Sequence, residues 1–390
     1  MNFQQFLHEF IPKIQKKSKQ LNQASWLLET TGSKDAASLK ADLETELRLY
    51  FNDKATFENL MKWDDISTTD PIAKRQLNVL IRAFKPNQID PKILEQLANE
   101  ESHLALLFSN FRPLMKDKAL SDNDIREILK NETDPTMRKE TWDASKQIGS
   151  VLAPSILKIV QLRNLGAKSL GYSDYFSMQL ELQEVDESWL FETLDALALK
   201  SDKAYTKALR EINEHLSRRF NVAQEELGPW AWSEPFCQED PLDSKELDEI
   251  VQEVDILESA VKFYTALGFD IDLILKASDN FERPGKNQHA FCMHMDREGD
   301  VRTLNNIKPT IKWMETVLHE FGHAVYELGY DQELPWLLRE PPHMITTEAM
   351  ALLAGRQAYR ASSIEILSKN AKKALKEKAE VSLKRRQLIF

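Results

Sequence analysis

The chain has 390 residues, of which 42% are hydrophobic and 29% are charged, and its formal net charge is −11. A chain of this size and apolar content is long enough for one large or two medium domains with a hydrophobic core. Acidic residues outnumber the basic ones and are interspersed with them, which argues against nucleic acid or an anionic membrane as the main partner.

The sequence predicts a soluble protein of the cytoplasm. Its two cysteines, Cys237 and Cys292, are too few for a disulfide framework and indicate a reducing compartment. Residues 1–17 carry charges inside their apolar stretch and have no small-residue cleavage site, so we expect no signal peptide. No run approaches the roughly 18 apolar residues of a membrane-spanning helix.

Most of the chain has the pattern of a mainly α protein. Only 11 glycines occur, and long stretches rich in leucine, alanine and charged residues favour helix. Residues 1 to about 225 form successive amphipathic patterns separated by short polar turns, such as TTGSKD at 30–35. A further helix is expected after Pro241, with Asp243 or Ser244 as its N-cap.

Two segments interrupt the helical pattern. Residues 228–241 contain three prolines and two tryptophans, which predicts an irregular aromatic loop. Residues 289–295 and 301–307 have strand character and flank the turn-rich DREGD, which predicts a β-hairpin with a five-residue loop. A helix is expected to follow, from about Thr310 to about Leu328.

That helix carries the motif HEFGH. His319 and His323 are four residues apart, so their imidazoles project from one face and both can reach one ion. Histidine nitrogens are ligands that Zn²⁺ prefers, and Glu320 lies beside the metal without having to bind it. From there Glu320 can take a proton from a zinc-bound water and return it to the leaving amine.

The run LHEF occurs twice, but only the second copy has the full motif. In the copy at residues 7–10, Pro12 stands where a second histidine would be required, so we interpret His8 as part of a solvated helical face. With only 8 histidines in the chain, an accidental H-E-x-x-H is uncommon. Burying two unpartnered histidines on the otherwise apolar helix would be costly, which favours the metal interpretation for the second copy.

A catalytic zinc site needs a third protein ligand and one open position. The candidates downstream of the motif are Glu327, Glu333, Glu340, His343 and Glu348. Glu327 shares the motif helix and suits a supporting or surface position. A new helix is expected from near Ile345, and Glu348 lies in its first turn, where a carboxylate is also favoured by the helix dipole. Because a helix that returns across the first can present it to the same ion, we predict Glu348 as the third ligand of one Zn²⁺.

The segments HEFGHAVYELG and LPWLLREPPHMITTEAMALLAG resemble the zinc-binding pair of helices in the group of thimet oligopeptidase, oligoendopeptidase F and angiotensin-converting enzyme. Residues 162–180 and 229–238 also resemble this group, and QASWLLETTGS is similar to the helical lid at the start of converting-enzyme relatives. The resemblance implies an elongated helical bundle with a deep channel and a small antiparallel sheet beside the zinc helix.

The same resemblance assigns a substrate role to the hairpin. It implies that His289 contacts the substrate near the scissile bond, and that backbone groups of Ala290 and Cys292 hold an extended peptide by strand addition. The sequence departs from the converting-enzyme pattern at Leu352, where that subgroup carries an acid that supports the metal shell. The support of the metal site is therefore expected to be built differently here.

We predict a zinc-dependent peptidase for short peptides, of oligopeptidase or peptidyl-dipeptidase type, with a metal-bound water as nucleophile and Glu320 as general base. No obligate protein partner is evident. One alternative is a helical metallocarboxypeptidase, whose HExxHALYE-like motif is close to HEFGHAVYE. The other is a catalytically weak protein that binds zinc and peptides.

The sequence suggests two regions. Residues 1–225 are predicted to form the lid and one channel wall, and residues 226–390 to hold the zinc site. The chain ends on the apolar residues Leu388, Ile389 and Phe390, whereas members of the resembled group continue and supply oxyanion donors from their later segment. We therefore expect a shortened chain that binds zinc but hydrolyses peptides poorly. The alternative is a naturally shorter member that borrows the missing wall from a partner chain.

Overall fold

A computed structural model describes residues 2–64, 70–120, 122–242, 245–283, 285–287, 289–368 and 371–389, and most of them are helical. The α-helices among these residues are α1 (Phe3–Thr31), α2 (Lys34–Phe51), α3 (Lys54–Asp64), α4 (Pro71–Phe84), α5 (Pro91–Asn110), α6 (Asp122–Asn131), α7 (Pro135–Ser169), α8 (Tyr175–Leu182), α9 (Glu187–Phe220), α10 (Ile256–Ala266), α11 (Asp272–Ala277), α12 (Ile311–Leu328), α13 (Met344–Gly355), α14 (Ala361–Leu367) and α15 (Lys373–Ile389). The strands are β1 (Leu114–Met115), β2 (Lys118–Ala119), β3 (Phe291–His294) and β4 (Val301–Leu304). The predicted mainly α fold is confirmed.

The chain divides into two compact units. The first unit comprises residues 1–98, 166–173 and 246–376, and the second comprises residues 99–165, 174–245 and 377–390. All of the predicted metal and substrate residues belong to the first unit. The division of the sequence at residue 225 stays a prediction.

None of the helices that the structure describes has the length and apolar character that crossing a bilayer would require.

In the first unit, the N-terminal helices enclose a hydrophobic core. The buried members of this core come from α1, α3, α4 and the segment before α13; they are Leu7, Phe10, Ile14, Leu60, Leu77, Leu80, Phe84, Trp336 and Leu337. Leu7 and Phe10 face this core, whereas His8 and Glu9 between them are exposed. The first LHEF run therefore forms the solvated helical face that the sequence predicts.

The predicted turn at 30–35 separates α1 from α2. Gly32 ends α1 with a positive φ of 61°, and the hydroxyl of Ser33 accepts a hydrogen bond from the backbone of Ala36 as the N-cap of α2. A Cβ at Gly32 would lie 2.3 Å from the carbonyl oxygen of Gly285, so the close approach of these two backbones requires glycine. This contact fixes the end of α1 against the loop that leads to β3.

In the second unit, the irregular aromatic loop at 228–241 is confirmed, and a single arginine holds part of it. The fully buried guanidinium of Arg138 donates hydrogen bonds to five backbone carbonyls, which belong to Leu129, Glu132, Trp230, Ala231 and Trp232. Desolvation lowers the pKa of Arg138 to about 10. The two-residue strands β1 and β2, which pair in antiparallel fashion, were not expected from the sequence.

The predicted N-caps Asp243 and Ser244 lie outside the described residues, as does Phe390. A 3₁₀ helix spans Lys245–Ile250, and α10 begins only at Ile256 with Asp255 as its N-cap. The helix expected after Pro241 is therefore divided into a short 3₁₀ segment and a later α-helix.

The elements around the motif occur in the predicted order, although both strands are shorter than the predicted 289–295 and 301–307. Strands β3 and β4 form the expected antiparallel hairpin, in which Met293 pairs with Arg302. Six residues rather than five connect the strands, because Met295 already belongs to the loop. Helix α12 follows with Thr310 as its N-cap and ends before Gly329, and α13 begins one residue before Ile345.

Candidate metal centre

Helices α12 and α13 cross at very close range, and two glycines make this possible. A Cβ at Gly322 would lie 2.9 Å from the Cα of Ala351, which is closer than real Cβ atoms approach other atoms. A Cβ on Gly355 would lie 3.2 Å from the Cβ of His319. The crossing thus brings the N-terminal half of α13 beside the histidines of α12. Because α13 begins at Met344, Glu348 lies just beyond its first turn, and the prediction that placed it in that turn was wrong by one residue.

At this crossing the three predicted ligands come together. The Nε2 atoms of His319 and His323 are 3.2 Å apart. The carboxylate oxygens of Glu348 lie 3.6 Å from each of these nitrogens. Of the residues that the structure describes, these three form the one group of histidine, cysteine or acidic side chains whose ligand atoms all lie within 4.8 Å of one another.

The donor atoms fit a zinc ion. Ligands about 2.0–2.1 Å from a tetrahedral ion lie about 3.3–3.4 Å from each other, which is close to the observed separations. Desolvation lowers the pKa values of His319 and His323, with the nearby charges as smaller contributions, so that both imidazoles stay neutral at neutral pH. A neutral imidazole has one nitrogen free to bind a metal, which is the protonation state that a ligand requires.

The second histidine has a fixed partner on α13. The Nδ1 atom of His323 lies 2.7 Å from the hydroxyl oxygen of Thr347, which is only 9% exposed. If Nδ1–H donates to this hydroxyl, Nε2 presents its lone pair toward Glu348. Sequence reasoning missed Thr347, although it directly precedes the predicted ligand. Leu352, which stands where the converting-enzyme pattern has an acid, is partly buried on the same helix.

Glu320 is buried beside the three ligands. Its residue surface is 7% exposed, and burial raises the pKa of its carboxyl group to about 8, with the carboxylate of Glu348 as a second cause. The hydroxyl of Tyr264 donates a hydrogen bond to the carbonyl of Leu318 and so ties α10 to α12 next to the motif. A carboxyl group whose pKa is close to neutrality suits the transfer of a proton.

The other candidates for the third ligand contact different partners. The carboxylate of Glu327 lies 3.1 Å from Nδ1 of His294. Glu340 forms an ion pair with Arg297. His343 caps α13, with its Nδ1 accepting a hydrogen bond of 3.0 Å from the backbone of Ile345, and Glu333 is exposed. Only Glu348 among them is placed with the histidine pair.

The predicted substrate residues lie at the start of the hairpin. His289 is exposed, and its backbone N–H donates to the side chain of Asn287 at 2.9 Å. Ala290 directly precedes β3, and Cys292 lies within it. Burial raises the pKa of the Cys292 thiol, and the carboxylates of Glu320 and Glu327 raise it further. Cys292 is on the same face of β3 as His294, whose Nδ1 lies 3.1 Å from Glu327 of α12, so its side chain faces α12.

Comparison with known proteins identifies the class. A family description of angiotensin-converting enzyme matches residues 1–216, and that of carboxypeptidase Taq (M32) metallopeptidase matches residues 192–375. Both are families of zinc-dependent metallopeptidases, so the protein is a zinc metallopeptidase, a hydrolase that acts on peptide bonds. The first match covers more than half of the chain, which therefore belongs to the family of angiotensin-converting enzyme. The second match contains the HEFGH motif and Glu348.

Proposed function

We propose that this protein hydrolyses short peptides at a single zinc site, held by His319, His323 and Glu348, with Glu320 as the general base. The observation that carries this proposal is the convergence of two imidazole nitrogens and a carboxylate at the α12–α13 crossing. Two nitrogens and one carboxylate are a donor set of catalytic zinc sites, in which a fourth position stays open.

When zinc is bound there, it supplies a Lewis acid that polarises the scissile carbonyl and acidifies water. The remaining steps belong to the protein. Glu320 accepts a proton from the attacking water and delivers it to the nitrogen of the leaving amine. Burial supports this role, because it raises the pKa of Glu320 from that of an exposed carboxylate and makes the carboxylate a stronger base. Thr347 keeps the ring of His323 in one orientation throughout.

The hairpin supplies the surface for the peptide backbone in this proposal. An extended peptide adds as a further strand beside β3, where it exchanges hydrogen bonds with Ala290 and Cys292. His289, at the exposed start of this segment, contacts the peptide near the bond that is cleaved. The contact between β3 and the motif helix supports this arrangement, since Nδ1 of His294 lies 3.1 Å from the carboxylate of Glu327 on α12.

A carboxypeptidase is a second candidate activity. It is favoured by the match of residues 192–375, which include the motif and Glu348, to carboxypeptidase Taq. A carboxypeptidase requires the free C-terminal carboxylate of its substrate, whereas an endo-acting oligopeptidase does not. A catalytically weak protein that binds zinc and peptides is the third candidate, and only an activity measurement separates it from the other two.

The test combines metal content with hydrolysis. Zinc is measured by elemental analysis in the wild type and in His319→Ala, His323→Ala and Glu348→Ala. We expect one zinc per wild-type chain and clear loss in each variant, while His8→Ala, which alters the incomplete LHEF copy, keeps its zinc. Full zinc occupancy in Glu348→Ala would show that another residue is the third ligand.

The same samples are assayed on an internally quenched peptide with either a free or an amidated C-terminus. Hydrolysis of both forms supports an oligopeptidase. Hydrolysis of only the free form supports an enzyme that acts from the C-terminus, and the released product then separates a carboxypeptidase (one residue) from a peptidyl-dipeptidase (a dipeptide). A zinc-loaded wild type that cleaves neither form would leave only the binding protein. The location in the cytoplasm and the absence of nucleic-acid and membrane partners stay predictions from the sequence.

A further inference from the structure

The β3–β4 hairpin has one occupied edge and one open edge. At the outer edge of β4, the backbone of Asp279 donates to the carbonyl of Thr303 at 2.9 Å and accepts from the N–H of Asn305 at 2.8 Å. Within the described residues, no strand pairs with the other edge of β3. A peptide that adds to this sheet therefore adds at β3.

The register identifies the backbone groups that face the open edge. The N–H of Met295 donates to the carbonyl of Asp300 at 2.8 Å. Hydrogen-bonded and non-hydrogen-bonded pairs alternate along an antiparallel ladder, so Met293 also bonds to β4, whereas His294 and Cys292 direct their N–H and C=O groups away from it. Ala290 directly precedes the paired residues, and we expect the same alternation to direct its groups outward. Cys292 and Ala290 are thus the residues whose outward groups a peptide can reach first.

The side chains of β3 face two different helices. Cys292 and His294 are directed toward α12, since His294 contacts Glu327 on that helix. Phe291 is directed to the other face, where its ring packs edge-on against Trp26 of α1 at 5.9 Å between the ring centroids. Helix α1 therefore covers the face of the hairpin that lies opposite α12.

At the far end of β3, one side chain of α1 contacts the strand backbone. The amide nitrogen of Asn22 lies 3.3 Å from the carbonyl oxygen of His294 and 3.1 Å from that of Met295. One turn earlier on α1, the ammonium group of Lys19 lies 3.0 Å from the carboxylate of Asp296. The carbonyl of His294, which is the next outward acceptor after Cys292, is thus already hydrogen-bonded to α1.

We infer that Asn22 is a specificity-determining residue that ends the peptide-binding edge of β3 at His294. This inference rests on the proposed peptidase function and on strand addition at β3. A bound peptide pairs with Ala290 and Cys292, and peptide residues beyond this point do not gain the hydrogen bond to the carbonyl of His294, which Asn22 already occupies. The chain thereby limits, on one side of the scissile bond, how many substrate residues contribute to binding.

The test measures peptide affinity as a function of length. Fluorescence anisotropy is recorded with labelled peptides that grow by two residues at either end, on a zinc-loaded Glu320→Gln background so that no peptide is consumed. With Asn22 present, affinity is expected to level off as the peptide lengthens at one end. With Asn22→Ala, the next two residues at that end are expected to raise the affinity about five-fold, the effect typical of one hydrogen bond.

Gln23→Ala is the matched control, because Gln23 is the next residue on α1 and its side chain is exposed. Asn22→Ser is a second variant in case Asn22→Ala folds poorly. An unchanged affinity for the shortest peptide shows that the site itself is intact. The inference is overturned if Asn22→Ala and Asn22→Ser keep the wild-type length dependence, or if no peptide binds. Binding without hydrolysis by the zinc-loaded wild type would instead contradict the proposed function and leave the length limit standing.

Discussion

The ring of His323 is held across the helix crossing by the hydroxyl of Thr347, with 2.7 Å between Nδ1 and Oγ1. This contact joins the second histidine of the motif to the residue directly before Glu348. Partners of this kind fix the tautomer and ring orientation of a ligand histidine. In this protein the partner of His323 is the neutral hydroxyl of Thr347. Leu352 stands where the converting-enzyme pattern has an acid.

Replacement of Thr347 by valine should weaken zinc binding by about 10- to 100-fold, the range typical for loss of a partner to a ligand histidine. Valine keeps the shape of threonine but cannot accept a hydrogen bond from the Nδ1–H group of His323. Zinc affinity is measured by competition with a chromophoric chelator, which does not depend on turnover.

Thr347→Ser retains a hydroxyl and should recover most of the affinity. Thr346→Val is the matched control, since the hydroxyl of Thr346 bonds to the carbonyl of His343 instead of a ring in the site. If Thr347→Val binds zinc as tightly as the wild type, the hydroxyl does not position His323.

Gly322→Ala should destabilise the fold and weaken zinc binding together. The new Cβ would lie 2.9 Å from the Cα of Ala351, and forcing a methyl group into a packed contact typically costs about 1–3 kcal/mol. The free energy of unfolding is measured with urea. Gly149→Ala, at an exposed helical position with nothing within 4 Å of the new Cβ, should instead gain up to about 1 kcal/mol. Equal stabilities of the two variants would show that the close helix crossing is not required.

Asp279 should make the free energy of unfolding depend on pH in the acidic range. Its carboxylate accepts hydrogen bonds from Arg283 at 2.7 Å and from the buried ammonium of Lys286 at 2.8 Å. Burial by itself raises the pKa of Asp279, but these two cations outweigh it and hold the pKa below its ordinary value. Because the folded state binds this proton more weakly than the unfolded state, the stabilisation is complete above the unfolded pKa of about 3.9 and is lost as pH falls through the folded pKa.

Asp279→Asn should therefore flatten the pH dependence of the unfolding free energy below about pH 4. At pH 7 it should cost about 1.5–3 kcal/mol, the usual worth of a hydrogen bond to a charged group. Glu282→Gln is the control, since its pair with Lys308 is solvent-exposed and should contribute little. A variant Asp279→Asn that keeps the wild-type pH profile would contradict this account.

The sequence predicts the site where the signal is local. The spacing of His319 and His323 fixes their common face on α12, and the turn residues around DREGD predict the hairpin. Glu348 required one further assumption, that α13 returns across α12. The structure supplies its physical basis in Gly322, whose missing side chain permits that crossing.

What the sequence did not predict depends on contacts between distant segments. Asn22 reaches the carbonyl of His294 across 272 positions of sequence, and nothing in the residues around Asn22 indicates that partner. Arg138 likewise has no local pattern that predicts its hydrogen bonds to the loop at 230–232. Thr347 has a hydroxyl whose partner is defined only once the two helices cross.

The central claim, that Glu320 transfers the proton in a zinc site formed by α12 and α13, is tested most directly by Glu320→Gln. Glutamine preserves the shape of the side chain but cannot accept a proton, and general acid–base catalysis typically contributes about 10²- to 10⁴-fold. Zinc content and hydrolysis of an internally quenched peptide are measured on the same preparation. We predict one zinc per chain, as in the wild type, and a kcat lowered at least about 100-fold. Wild-type turnover by a fully zinc-loaded Glu320→Gln variant would contradict the mechanism.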